Sequence, residues 1–433
     1  MFSDVLKRIN AHDIYKRHID IFHAVTYDNV DGLVAAFVRN QPFDVKDKNG
    51  NTVLHLAAKL NRRLLVRAIC VYASHLDLFK IKNNEGKEPI ELTEDPNIKR
   101  DLQSLSTVRS TVDSHHMAYN KQLIEKKIMD NRDNNNNQKV ILSLDAGTSC
   151  GGIMASSMSV GIDLADALRI YIVIRRRIFG GNTQMFPKHS SIGIETVLQE
   201  VMGAKTPIAK CTAHRLVVTT AKVTLAPPQL ILFRSYAPRI DPKEFEQLGY
   251  FNPNKILLWK AIRCTSAAPV YFQSFNGMAD GAIFCNNPCI MVMTEFAKLK
   301  KIENYRGKNN TDEIGCCTSS HNVHVGQSRE WSHSMQVPFF RFSPHLAAPF
   351  ELDNCKIEDI TNAMFDNEVY IRSQINQQIS DLCRLLKSMP RNTEPCQYRK
   401  ITGYTGNSQK VVESPNQIGK YPPKLTADTH RKR

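Results

Sequence analysis

An apolar run, Val140-Ile141-Leu142-Ser143-Leu144, leads almost directly into Gly147-Thr148-Ser149-Cys150-Gly151. The run reads as a buried strand, and the small apolar stretch Gly152-Ile153-Met154-Ala155 beyond it suits a helix packed on a sheet. Strand, glycine-flanked serine and helix in that order make a strained turn. Glycines are expected on both shoulders of the serine, where backbones approach closely, and the serine hydroxyl projects outward. A hydroxyl presented this way is a candidate nucleophile. The backbone N–H groups of Cys150 and Gly151, at the start of the helix, are candidate donors to a developing oxyanion.

The chain has 433 residues, which sets an expectation of two or three domains. With 42% hydrophobic and 23% charged residues it is not a disordered, collagenous or fibrous protein. Lys and Arg number 57 against 42 Asp and Glu, a net charge of +15. That excess favours an anionic partner, either nucleic acid or an acidic lipid surface. No aromatic-basic motif of a nucleic-acid binder occurs, so a membrane surface ranks first and no nucleic-acid partner is expected. The eleven cysteines include no C-x-x-C pair and read as reduced thiols of a cytosolic protein. Met1–Arg8 has no apolar stretch suited to a secretory signal. No segment reaches the ~20 apolar residues of a bilayer span. The closest, Leu216–Phe233, is interrupted by Lys222 and Pro227-Pro228. The expected location is cytoplasmic with peripheral membrane association.

Four regions follow along the chain. Residues 1–115 contain Asp47-Lys48-Asn49-Gly50-Asn51-Thr52-Val53-Leu54-His55-Leu56-Ala57-Ala58, which resembles the opening of an ankyrin repeat. Gly50 suits a turn with positive φ, Thr52 a helix cap, and His55 a tie across the turn. A second, weaker unit stands at Asn84–Leu92, and a helical remnant, Asp31–Val38, precedes the first. Gly50 and Gly86 are 36 residues apart, against a usual ~33. Two to three units are near the minimum for stability, so the region is expected to lean on its neighbour. Residues 116–138 read as a polar, solvated linker ending in Asp130–Gln138. Residues 139–390 mix strands (Val140–Leu144, Leu216–Val223, Leu230–Tyr236) with helices (Leu164–Ile178, Ser190–Met202, Glu368–Lys387), an α/β pattern. Residues 391–433 form a basic stretch expected to be disordered.

A serine nucleophile needs a base. No histidine motif stands out among the fourteen histidines. The other candidate is Met278-Ala279-Asp280-Gly281-Ala282, followed by Asn286-Asn287-Pro288. An Asp in such a place is equally a turn residue or a helix cap.

Together these segments resemble the patatin-like phospholipases, in which a GxSxG serine is paired with a downstream Asp-Gly-Ala. Leu258–Phe272, reading LWKAIRCTSAAPVYF, is similar to the signature preceding that Asp. Phe340-Arg341-Phe342-Ser343-Pro344 and Glu368-Val369-Tyr370-Ile371 resemble the family's C-terminal landmarks. Ankyrin-like units in front are similar to the calcium-independent, group VI type of phospholipase A2. The resemblance covers most of residues 25–390. It implies a central sheet flanked by helices, with Ser149 as nucleophile and Asp280 as base. Gly147 and Gly151 complete one motif, and Gly281 and Ala282 the other. The implied reaction is hydrolysis of a glycerophospholipid acyl ester through an acyl-serine, with no cofactor and no metal. No D-x-D-x-D-G calcium loop is present, in keeping with this. The implied partners are a phospholipid membrane surface, a second copy or protein partner at the ankyrin-like region, and calmodulin at the helix Glu368–Lys387. For that helix, packing within the domain is the preferred reading.

The sequence departs from the family in two places. After Leu144-Asp145 the family's glycine-rich loop, a helix and a second strand are absent, and Ala146-Gly147 follows at once. One strand then serves two roles, and principal oxyanion donors are lost. Near Lys301–Gly315 a further strand and glycine turn are replaced by Glu303-Asn304-Tyr305-Arg306-Gly307-Lys308-Asn309-Asn310. The rival reading is therefore a catalytically impaired, ankyrin-containing scaffold. Two further clusters are read conservatively. Cys316-Cys317 with His321 and His324 lacks zinc-ligand spacing. Arg175-Arg176-Arg177 reads as a solvated helix end rather than a phosphate contact.

Overall fold

The computed structural model describes residues 20–107, 114–133, 144–181, 183–238, 244, 247–304, 315–317 and 322–388. The Met1–Arg8 start, Val140–Ser143, most of the Glu303–Asn310 stretch, His321 and the 391–433 region lie outside these.

The N-terminal region is a stack of helix pairs. Ile21–Thr26 pairs with Val30–Val38, Val53–Lys59 with Arg63–Tyr72, and the 3-10 turn Pro89–Leu92 with Pro96–Ser106. The second members open at Val30, Arg63 and Pro96, equal steps of 33 residues. Two short 3-10 turns, Ser74–Leu76 and Leu78–Lys80, hinged on Asp77 in the left-handed region, follow the second pair. The longer Gly50–Gly86 interval is offset after Gly86, where the first member of the next pair is cut to the 3-10 turn Pro89–Leu92. Between pairs the chain makes the same turn twice. The Asp47 carboxylate accepts from the Asn49 and Asn51 amides, and the Asn83 side chain accepts from Glu85 and Lys87. Gly50 has φ +74, and a Cβ there would lie 2.2 Å from the Asn84 side chain, because Asn84 N–H donates to the Asn49 carbonyl and stacks turn on turn. His55 ties the stack: Nδ1 accepts from Thr52 N–H and Nε2–H donates to the Lys87 carbonyl. Buried Asp101 accepts from both Arg63 and Arg67.

This region leans on the remainder through specific bonds. Arg67 reaches Asn362, and Arg372 reaches Asp77 and the Ser74 carbonyl, so the stack sits on the helix Ile357–Ser373. Arg169, on the helix Leu164–Phe179, donates to the Phe37 carbonyl and to Asn40.

Most of the expected polar linker is not solvated chain but a helix, Ser114–Asp133. Its polarity runs almost all round, yet one seam, Leu123, Ile124 and Ile128, is buried. Ile124 and Ile128 pack with Phe340 and Leu385. A seam of three buried residues in a twenty-residue helix is too narrow to stand out in a charged stretch. The long C-terminal helix expected at Glu368–Lys387 is two helices, Ile357–Ser373 and Asn376–Ser388. Gln374 and Ile375 both donate to the Tyr370 carbonyl at the break, and Ile375 turns inward.

The sheet that organises the remainder has four strands: β1 (Leu144–Gly147), β2 (Arg215–Lys222), β3 (Gln229–Arg234) and β4 (Met278–Asp280). β2 is central. Its residues Leu216–Ala221 are buried on both faces, as a β-branched run covered by helices should be. β3 pairs antiparallel along one edge of β2. On the other edge β1 runs parallel, opposite Arg215–Val218, and β4 runs antiparallel, opposite Thr220–Lys222. β1 and β4 thus share an edge and point at each other. Their C-terminal residues, Gly147 and Asp280, face Val218 and Thr220, with Thr219 between. A separate parallel pair is formed by β5 (Gly315–Cys317) and β6 (Phe339–Arg341). Among the described residues no helix is long and apolar enough to cross a membrane.

Candidate active site

The head-to-head meeting of β1 and β4 brings Ser149 and Asp280 together from positions 131 apart in sequence. Ser149 follows β1 by two residues and is the N-cap of the helix Cys150–Ser159, with φ 57 and ψ −126. That conformation is costly for any residue with a Cβ and persists only where the surroundings enforce it. Several neighbours do so. Ser149 N–H donates to the Thr265 hydroxyl at 2.9 Å. Thr148 donates to the Cys285 carbonyl at 2.7 Å, and the buried Thr219 hydroxyl donates in turn to Thr148 at 2.6 Å.

Asp280 is 2% exposed. Its N–H donates to the Ala267 carbonyl, and one carboxylate oxygen accepts from Ala282 N–H at 2.8 Å. The Ser149 side chain lies beside the same carboxyl. Burial pushes the Asp280 carboxyl above its ordinary value, and the Ser149 side chain and the Ala282 amide only partly oppose it. The segment Leu258–Phe272 therefore serves both partners. Thr265, ending the helix Leu258–Thr265, holds the serine backbone, and Ala267 holds the aspartate backbone. Buried Arg263 fixes this segment, bonding Glu195, Ser191 and the Gln273 carbonyl.

The glycines differ in what they do. A Cβ on Gly147 would lie 2.1 Å from the Gly151 carbonyl oxygen and 2.4 Å from Gly152 N, all backbone. A Cβ on Gly281 would lie 2.3 Å from the Thr219 hydroxyl. At Gly151, by contrast, nothing lies within 4 Å, and the residue faces open space beside the serine. Close backbone approach thus explains the first shoulder of the turn and not the second. Gly147→Ala has no flexible neighbour to give way, so it is expected to destabilise the protein by about 3 kcal/mol or more, read by denaturant unfolding. Gly151→Ala should leave stability within about 1 kcal/mol.

The Gly151 N–H donates to the Thr148 carbonyl at 2.9 Å. It is engaged inside the turn, a correction to the expectation that it faces a substrate. Cys150 opens the helix that follows Ser149, and its side chain carries a thiol. That thiol is held above its ordinary pKa by burial, with the Arg175 charge opposing, and it contacts the Tyr171 hydroxyl. The Arg175–Arg177 run is only in part a solvated end, since Arg176 is exposed and Arg175 is not. Arg175 is 3% exposed and donates to Tyr171 and to the carbonyls of Glu351, Leu352 and Asn354. Arg176 pairs with Asp31 and Arg177 with Glu200. Asn287 is buried, and its side chain caps the helix Cys289–Asn304 by accepting from Cys289 N–H. The two C-terminal landmarks meet where Ser343 N–H donates to the Tyr370 hydroxyl. No cluster of three or more His, Cys, Asp or Glu able to hold a metal occurs among the described residues. Thr148, Thr219 and Thr265 have no sequence pattern of their own that assigns them these roles, being single threonines in a turn, a strand and a helix end.

Residues 142–293 match the sequence model of the patatin-like phospholipase family. The matched stretch holds the mixed sheet, both motif segments and the helices around them. Over 285 residues the chain is 25% identical to a protein of Caenorhabditis elegans named intracellular phospholipase A2, covering 56% of this chain and 26% of that one. Over 295 residues it is 25% identical to the 85/88 kDa calcium-independent phospholipase A2 of Mus musculus, covering 56% and 36%. Patatin-like phospholipase 1 of Plasmodium falciparum is 26% identical over 173 residues, or 35% of this chain and 25% of that one. The chain thus spans about a third or less of the length of these relatives.

Proposed function

We propose that this chain is a calcium-independent acyl hydrolase of glycerophospholipids, of the phospholipase A2 type. Ser149 attacks the ester carbonyl while Asp280 takes its proton. Collapse breaks the ester C–O bond, Asp280 returns that proton to the departing lysophospholipid oxygen, and an acyl-serine remains. The regenerated Asp280 carboxylate then takes a proton from the attacking water and gives it to the Ser149 oxygen as the fatty acid leaves. The observation that carries the reading is the strained Ser149 turn set beside the buried Asp280 carboxyl, whose pKa burial raises. A carboxylate that prefers its protonated form is a stronger base than an ordinary surface Asp. The 33-residue step of the N-terminal helix pairs and their stacked turns support ankyrin-type repeats. Such repeats offer a face for self-association or for a protein partner.

One observation favours the rival reading, a scaffold with impaired catalysis. With Gly151 N–H held by Thr148, the turn offers few amides to an oxyanion. A lost donor of this kind costs ~10²–10³ in turnover. Fatty-acid release from phospholipid in the presence of a calcium chelator separates the two. Turnover well above background supports the hydrolase, and none from folded protein supports the scaffold.

A further inference from the structure

The loop Thr183–His189 carries Met185, the most exposed large apolar side chain among the described residues, and Phe186 next to it. Met185 is 99% and Phe186 73% exposed. The loop is nonetheless firmly based. Gln184 N–H donates to the Lys188 carbonyl at 2.9 Å, closing its neck. Lys188 and His189 N–H donate to the carbonyls of Val270 and Tyr271 at 2.8 and 3.0 Å. Buried His189 sits among the rings of Phe179, Tyr271 and Phe272 and contacts Asp353.

Beside this tip, Val270 is exposed at φ +74, a genuine outlier for a β-branched residue. Ile192, in the first turn of the helix Ser191–Met202, is exposed as well. Val270 belongs to the segment whose Ala267 carbonyl holds Asp280. Just beyond Asp280, Ile283 and Phe284 stand exposed too. Apolar side chains thus flank the aspartate on both sides in sequence, on backbone that is hydrogen-bonded to it or adjoins it.

We infer that the Met185–Phe186 tip, with Ile192 and Val270, inserts into the surface of a phospholipid bilayer and brings the Ser149–Asp280 pair to it. The inference rests on reading that pair as lipid-cleaving. Four protruding side chains cover roughly a few hundred Å², well short of the ~1,600 Å² of a standard protein interface, but enough to anchor in acyl chains. The net charge of +15 complements an anionic leaflet.

The test uses the full chain carrying Ser149→Ala, so that lipid is not consumed. Its co-sedimentation with phosphatidylcholine vesicles, with and without phosphatidylserine, is compared with the same chain also carrying Met185→Ser and Phe186→Ser. The added pair should lower partitioning about tenfold or more on both vesicles, and phosphatidylserine should strengthen binding of the parent. In an otherwise wild-type chain, Met185→Ser with Phe186→Ser should leave labelling by a small soluble fluorophosphonate unchanged. Equal vesicle binding with and without the tip, or no vesicle binding by the parent, overturns the inference while leaving the hydrolase reading intact. Loss of soluble labelling in the tip variant overturns it by assigning the tip to the site's own structure. A concentration-dependent dimer that the tip substitutions dissolve overturns it in favour of a second copy. Tip-dependent vesicle binding by a chain that no fluorophosphonate labels sustains the surface and sinks the hydrolase reading instead.

Discussion

Ser149→Ala is expected to bring fatty-acid release from phospholipid to background, a loss of about 10⁴-fold or more relative to an active wild type. Alanine keeps the Cβ, so the strain at φ 57 is unchanged, and the Thr265 bond is made by the Ser149 backbone, which the substitution leaves in place. Thermal unfolding should accordingly match the wild type. The comparison also discriminates between the two readings of the chain. A wild type that already hydrolyses no faster than Ser149→Ala is the scaffold.

The second large effect lies away from the chemistry. Arg234 on β3 and Glu295 on the helix Cys289–Asn304 form a buried two-pronged ion pair, at 2.8 and 2.9 Å. Tyr236 and Tyr250 both donate to the same Glu295 oxygen. Arg234 also donates to the Leu232 and Gly249 carbonyls and lies over the Tyr250 ring. Burial, followed by the Glu295 charge, drives both phenols upward in pKa, so they stay neutral donors. Glu295→Ala strands a buried guanidinium and two buried hydroxyls. The expected cost is about 3–5 kcal/mol in denaturant unfolding. Replacing both charges, as Arg234→Met with Glu295→Leu, should restore a large part of it, because the desolvation penalty disappears with the pair. The helix Cys289–Asn304 continues from the Asn287 turn that follows Asp280, so Glu295→Ala is also expected to slow Ser149 labelling.

What was legible in sequence was what local chemistry dictates. The glycine-flanked serine after an apolar run marked the turn, and Gly50, Thr52 and His55 marked the repeat turn, because each is required by nearby backbone. Asp280 was legible only through its resemblance to a known motif. β4 is three residues long, and no periodicity announces a strand that short. That β1 and β4 abut across Thr219 is a fact of pairing register, which sequence spacing does not encode. The Arg234–Glu295 pair spans 61 positions and was invisible for the same reason. The helix Ser114–Asp133 was hidden by its charge, since its contacts with Phe340 and Leu385 involve a narrow seam. Arg175 was misread because three consecutive arginines at a helix end suggest solvent, whereas the Glu351–Asn354 carbonyls enclose the first of them.

The pH dependence of the site follows from Asp280. Its raised pKa means that the base form is lost at higher pH than for an ordinary aspartate. Reactivity should therefore fall as pH drops through a value above the usual carboxylate range. For stability the sign is opposite to that of an ion-paired Asp. Between the unfolded and folded pKa the native state holds more protons, so Asp280 contributes stability at low pH that is lost as pH rises through that window.

The most direct measurement is the rate of fluorophosphonate labelling against pH, with the modified residue mapped by mass spectrometry, in the wild type and in Asp280→Asn. The expected result is a label on Ser149 with an acid limb above the ordinary aspartate range. Asp280→Asn should slow labelling by about 10²–10⁴-fold and remove that limb. A label on another residue, or an Asp280→Asn chain that reacts at the wild-type rate with the same limb, would contradict the pairing of this serine with this carboxylate.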